Sequence, residues 1–169
     1  MNAKLAAWNI ADEETALGAM IACCGARRWA ATMVARRPIE DPEKLSASAD
    51  RIWSTMEVPD WMEAFACHPR IGGRKAAHAT AQSMEWSRQE QSAAGGAASD
   101  IMARLAEGNA LYEERFGFTY IVCATGKGAE EMLAILERRM KNDRDAELRE
   151  AAEQQRQITQ IRLRKWLEE

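Results

Sequence analysis

Phe116-Gly117-Phe118-Thr119-Tyr120-Ile121-Val122 decides the fold, because it is the one stretch whose composition suits a β-strand. Aromatic and β-branched residues crowd together there, as strands prefer. A lone strand has no neighbour to take its peptide groups, and nothing else in the chain offers one. The stretch therefore reads as a buried, irregular connector between helices. Composition agrees: of 169 residues, 32 are alanine and only three are valine (Val34, Val58 and Val122). Alanine is the strongest helix former, so the expectation is an all-α fold, a single-domain compact helical bundle over residues 1–169.

Outward from the connector the punctuation is helical. On its N-terminal side a helix is expected from Asp100 to about Arg115, with Ile101, Leu105, Ala106 and Tyr112 as the inward stripe. On its C-terminal side Thr125-Gly126-Lys127-Gly128 is a turn into a helix reaching about Met140, and a last helix spans roughly Asp143 to Leu167. Further upstream, Ser92 to Ser99, with Gly95-Gly96, reads as a loop or broken helix, preceded by a helical run from about Arg74 to Gln91. Val58-Pro59-Asp60 opens a helix carrying Trp61, Met62, Phe65 and Ala66, which Pro69 stops near His68. Asp41 is an N-cap with Pro42 at the first helical position of a helix to about Thr55, and Leu45, Ala49, Ile52 and Trp53 fall at helical spacing. The first helical segment runs from about Asp12 to Ala35, with breaks expected at Gly18 and Gly25.

Charge and cysteine usage exclude several classes. The formal net charge is −3, which gives no broad basic face for displacing phosphate counterions, so no nucleic-acid partner is expected. No apolar run approaches the roughly 20 residues of a membrane span. Met1 to Ile10 reads as neither a secretory leader nor a basic targeting segment, and the expected compartment is the cytoplasm. The four cysteines, at 23, 24, 67 and 123, lack zinc-ligand spacing and read as reduced thiols. No P-loop, GxSxG, HExxH or dinucleotide fingerprint occurs, so neither a metal nor an organic cofactor is expected.

Two histidines remain. His78 sits in an alanine-rich run and suits a solvent-facing or packed role. His68 is fixed at a helix end by Pro69 and Gly72-Gly73, where an imidazole is partly buried, open on one side and titrates near neutrality. In Trp86-Ser87-Arg88-Gln89-Glu90-Gln91, helical spacing puts Ser87, Glu90 and Gln91 on one face as a hydroxyl, a carboxylate and an amide. Arg162 lies four after Ile158 and four before Trp166, on an apolar stripe, and needs a carboxylate, a carbonyl or a ligand anion for company. Taken alone, each pattern also suits a structural role: a packed histidine, a solvated polar face, an internal salt bridge. A helical module that binds a ligand or partner without catalysis is the competing class.

In combination these residues resemble the OHCU decarboxylases, the 2-oxo-4-hydroxy-4-carboxy-5-ureidoimidazoline decarboxylases of urate degradation. The resemblance runs from Cys23-Cys24-Gly25, Arg28-Trp29-Ala30 and Arg37-Pro38 through Ala64-Phe65-Ala66-Cys67-His68-Pro69-Arg70-Ile71-Gly72, its most diagnostic block. It continues through Trp86 to Gln91, Asn109, Tyr112, Arg115, Phe116 to Val122 and Ala124-Thr125-Gly126-Lys127, and ends at Ile161-Arg162-Leu163. It implies a homodimer without cofactor that converts a small urate-derived substrate to (S)-allantoin. It also implies that His68 is the catalytic histidine and Glu90 its acidic partner. Substrate would be bound by Pro69, Ser87, Gln91, Arg162 and the backbone around Ile121 and Val122. Tyr120 and Ile71 are mild departures from the family pattern, at positions with no assigned chemistry.

Overall fold

A computed structural model describes residues 2–73, 76 and 78–169. The described residues form α-helices joined by turns, with no strand among them, so the all-α expectation holds. In order these are α1 (Ala3–Ile10), α2 (Glu13–Cys23), α3 (Arg27–Val34), α4 (Pro42–Trp53) and α5 (Val58–Ala66). They are followed by α6 (Ala81–Glu90), a 3₁₀ turn (Ser92–Ala94), α7 (Ser99–Phe116), α8 (Ala129–Arg139) and α9 (Arg144–Glu168).

Contacts divide the chain into two compact units, the first comprising Met1–Ala64 with Arg156–Glu169 and the second Phe65–Gln155. In the first, helix starts follow the caps written in the sequence. Asp12 and Asp41 take the N–H groups of Thr15 and Lys44 at 2.8 and 2.7 Å, satisfying donors that a helix start leaves orphaned, and each such cap contributes about 1 kcal/mol. Helix α1 is not among the expected helices. Asn2 caps it through the Leu5 N–H at 3.0 Å, and Leu5 and Trp8 are its buried face. The Trp8 indole donates to the Ala16 carbonyl at 3.0 Å and meets Trp166 edge-on with centroids 6.1 Å apart. Eight residues are too few for a helix to persist alone, and these contacts stabilise it. Of the two breaks expected in the first segment, the one at Gly25 occurs, at Cys24–Ala26, whereas Gly18 lies inside α2. A single exposed glycine costs a helix only about 1 kcal/mol, less than the surrounding packing supplies. The guanidinium of Arg37, before a cis bond to Pro38, donates to the carbonyls of Trp8 and Ala11 at 2.8 Å each.

The second unit is built on an aromatic cluster. Phe65 packs on Phe118 (centroids 5.2 Å), and Tyr112 meets Phe116, Phe118 and Tyr120 at 4.7, 5.6 and 5.3 Å. The connector that settled the fold is irregular and buried as expected: Phe118 and Tyr120 to Ala124 are all inside. Gly117, at φ 82, ends α7 in the left-handed conformation that lets the chain turn there. Helices α7 and α8 approach closely at Gly108, where an added Cβ would stand 2.8 Å from Leu136 Cδ2.

Two helices differ from expectation at their edges. Ala106, expected inward, is exposed, while Asn109 and Phe116 complete the buried face of α7. The helical run expected from Arg74 begins instead at Ala81, where Thr80 caps the Ser83 N–H at 3.0 Å. Alanine richness suggested the longer helix, but His78 has a φ of 62, which a right-handed helix excludes. His78 is exposed, the solvent-facing of the two roles expected for it, and positions 74, 75 and 77 lie outside the described residues.

Candidate functional site

In the second unit, His68 lies two residues past Ala66, the last residue of α5. Its N–H closes a turn onto the Phe65 carbonyl at 3.1 Å, and Pro69 forbids further helix. The imidazole is half-buried, with Nε2 2.7 Å from Oε1 of Gln155. Gln155 is 0% exposed and projects from α9, so the ring is fixed by a side chain that is itself fixed.

The loop after His68 is pinned at three points. Gly73 N–H closes a four-residue turn onto the Arg70 carbonyl at 2.7 Å, and Gly72 occupies its third position with φ 77. A positive φ there is what a type II turn requires, and glycine supplies it without strain. The Arg70 guanidinium is paired with Glu113 of α7, Nε to Oε1 at 2.8 Å, which raises the arginine pKa through that hydrogen bond. Gln91 Oε1 accepts the Gly72 N–H at 2.9 Å. Pro69, Ile71 and Gly72 then form one wall of a cleft of about 570 Å³, whose other lining includes Met84, Gln91 and Met102.

Helix α6 carries the expected polar residues on two sides rather than one. Ser87 and Glu90 are inside, 2% and 8% exposed, with Trp86 beside them. Gln91 caps the helix end with φ −90 and ψ 3 and turns to the cleft. The hydroxyl and the carboxylate thus share a buried face as the spacing required, and the amide leaves it. The cleft takes Pro69 and Gln91 from the expected set, whereas His68, Ser87 and Glu90 are not in its lining.

Ile121, which precedes Val122, is held by a buried polar network. Arg139 Nη1 donates to the Ile121 carbonyl at 2.6 Å, while Nε and Nη2 donate to Glu147 at 2.8 and 2.5 Å. The guanidinium lies 4.9 Å over the Tyr120 ring, and the Tyr112 hydroxyl donates to the same Glu147 oxygen. Burial pushes the Tyr112 and Tyr120 hydroxyls up, so both stay protonated as donors. Burial also disfavours the Arg139 charge, but the Glu147 hydrogen bonds and the surrounding oxygens outweigh it and leave its pKa raised. Gln154 takes the Cys123 N–H at 2.8 Å and Lys127 donates to the Cys123 carbonyl at 2.9 Å. Among the described residues none accepts from the N–H of Ile121 or Val122. Two successive peptide N–H groups in a buried stretch can serve a carbonyl or an oxyanion.

Arg162, the remaining expected residue, belongs to the first unit. It is 2% exposed, on α9. In that unit burial pushes the Cys23 thiol far up against the lowering influence of the Arg162 charge, so Cys23 is a neutral packed thiol and not a nucleophile.

Sequence reasoning missed Gln155 and Arg139. A signal existed for both. Gln155 lies four after Ala151 and three after Ala152, both buried, and Arg139 lies three after Leu136. Each is a polar residue on the apolar stripe of its own helix, which is the pattern that singled out Arg162.

The chain matches the family model described as OHCU decarboxylase over residues 9–164. It is 36% identical over 85% of its length to the uric acid degradation bifunctional protein TTL of Arabidopsis thaliana, of which it spans only 44%. It is 35% identical over 79% of its length to the 2-oxo-4-hydroxy-4-carboxy-5-ureidoimidazoline decarboxylase of Amia calva, covering 77% of that protein. Its fold is similar to a crystal structure of an OHCU decarboxylase in the presence of (S)-allantoin, with TM-score 0.76 and 33% identity over 88% of this chain and 96% of that one. The chain belongs to the OHCU decarboxylase family.

Proposed function

We propose that the chain decarboxylates 2-oxo-4-hydroxy-4-carboxy-5-ureidoimidazoline to (S)-allantoin, with His68 as the proton-exchanging group and Glu90 as its acidic partner. The observation that carries the reading is the half-buried His68 imidazole, held through Nε2 at 2.7 Å by the buried Gln155, in a chain that belongs to this family.

The substrate carries a carboxylate and a hydroxyl on one ring carbon, next to a ring C=N bond. As the carbon–carboxylate bond breaks, its electron pair becomes a C=C bond to the neighbouring carbon, and the C=N pair moves onto nitrogen, which takes up a proton. The neighbouring carbon then takes a second proton on one face, and the hydroxyl releases its own to become the ring carbonyl. Carbon dioxide leaves and one proton is consumed overall. The C=N bond is the electron sink, so the step calls for no organic cofactor. A neutral imidazole is suited to receive the hydroxyl proton near neutral pH. Glu90 would stabilise the imidazolium that forms. Ser87, Gln91 and Pro69 would hold the ureido group, and the Ile121 and Val122 N–H groups a ring carbonyl. The same reading takes the protein as a homodimer acting on a soluble substrate in the cytoplasm. Among the described residues no helix is long and apolar enough to cross a membrane. A particle of about twice 18.9 kDa by light scattering is the expected mass.

The substrate is short-lived, so the test generates it in situ from urate and follows the circular dichroism of the allantoin formed. Wild-type protein should give the S enantiomer faster than the spontaneous reaction, and His68→Ala or Glu90→Gln should lose roughly 10²–10⁴-fold in rate. Racemic product at the spontaneous rate from the wild-type protein would overturn the proposal.

A further inference from the structure

A histidine that exchanges a proton must present the correct nitrogen, and the residue that decides this lies outside the expected site. The His68 contact is to Oε1 of Gln155, at 2.7 Å. A carbonyl oxygen only accepts, so the hydrogen of this bond is on Nε2. A neutral imidazole has one N–H; with that hydrogen on Nε2, the lone pair is on Nδ1. We infer that Gln155 is a positioning residue that selects the Nε2-protonated tautomer of His68 and makes Nδ1 the atom that exchanges a proton with substrate. The second half of this inference rests on the reading of His68 given above.

Three features make the selection firm. Gln155 is 0% exposed, so bulk water does not replace its carbonyl as the acceptor. It sits well within α9, away from the fraying ends. The His68 main chain is tied as well, through its N–H to Phe65 and by Pro69, so the ring has little freedom to offer its other nitrogen. Glutamine also suits the task better than a carboxylate. It accepts the hydrogen without adding a charge that would hold the imidazole permanently protonated.

The experiment uses the full chain labelled with ¹⁵N-histidine in a His78→Asn background. That substitution removes the second imidazole at an exposed site, and asparagine tolerates its φ of 62. Long-range proton–nitrogen spectra recorded about two units above the ordinary histidine pKa of ~6.5 report which nitrogen carries the hydrogen. The expected result is Nε2–H for His68. Gln155→Met, similar in shape but without an acceptor, should shift the ring toward a mixture and lower kcat by about tenfold or more, with KM changed less than about twofold. Gln155→Glu restores an acceptor and should keep the hydrogen on Nε2, while its charge shifts titration of the ring to higher pH. A wild-type ring protonated on Nδ1 overturns the inference even if neither variant folds, and so does a Gln155→Met ring that keeps a pure Nε2–H form. The two readings fail separately. Activity that survives His68→Ala removes the functional reading while the tautomer assignment stands, and a tautomer indifferent to Gln155 removes the assignment while His68 keeps its role.

Discussion

Removing the carboxylate of Glu147 should be among the most damaging single changes in the second unit. Glu147 and Arg139 both have side chains 0% exposed. Three atoms of the guanidinium are committed, two to Glu147 and one to the Ile121 carbonyl at 2.6 Å, and Asn142 donates to the other Glu147 oxygen at 2.9 Å. Glu147→Leu takes from a buried guanidinium its hydrogen-bonded counter-charge, leaving only the Glu150 carboxylate 3.9 Å away, and takes the acceptor from the Tyr112 hydroxyl. Breaking a buried pair from one side costs about 3–5 kcal/mol, against about 1 kcal/mol or less for an exposed pair. At about 2–4 °C per kcal/mol for a chain of this length, Tm should fall by roughly 6–20 °C. Thermal unfolding followed by the helical circular dichroism signal, with urea titration to confirm an unchanged m-value, measures it. The Arg139→Met/Glu147→Leu double variant should recover much of the loss, because two apolar side chains leave no unpaired charge. If Glu147→Leu cost less than about 1 kcal/mol, or the double variant lost as much as the two single variants together, the buried pair would not be acting as described.

A matched glycine pair separates helix propensity from packing. A Cβ added at Gly18 in α2 would meet nothing within 4 Å, so Gly18→Ala should stabilise by about 0.5–1 kcal/mol. Gly108→Ala should yield no such gain because its Cβ meets buried Leu136, and equal urea midpoints would contradict this. The hydrogen bond from Arg138 holds the Glu150 carboxyl below its usual range. That contribution is fully present above the unfolded value of 4.5 and disappears as pH falls through the lower folded value. Glu150→Gln should therefore flatten the acid side of a Tm-against-pH curve while leaving the slope above pH ~6 unchanged.

How much of the site could be read depended on whether the deciding physics was local. Pro69 and Gly72 speak for themselves, because a fixed φ, a missing N–H and a tolerated positive φ are properties of single residues. They suffice to place His68 at a helix end. Ser87 and Glu90 could be assigned to one face of a helix by spacing, but not to its inside. Burying a hydroxyl and a carboxylate is unfavourable by itself, so their polarity argued for water. Only the neighbours supplied by the fold make burial tolerable. Gln91 shows the complementary error: it shares the spacing of that face, yet the helix ends beneath it and its amide turns to hold Gly72.

By itself the sequence determined the helical class, most helix starts and the irregular connector, since alanine content, side-chain caps and an unpartnered strand-like run act over a few residues. Family membership was likewise written in the order of its motifs. Tertiary structure alone decided that α1 forms, that the helical run before Trp86 starts only at Ala81, and that Ser87 and Glu90 are inside. It also brought Gln155 to His68 across 87 positions, and Arg139 to the connector. Each of these depends on which side chains meet from distant parts of the chain. Periodicity identifies the face a residue occupies, and the packing of other helices determines what that face meets.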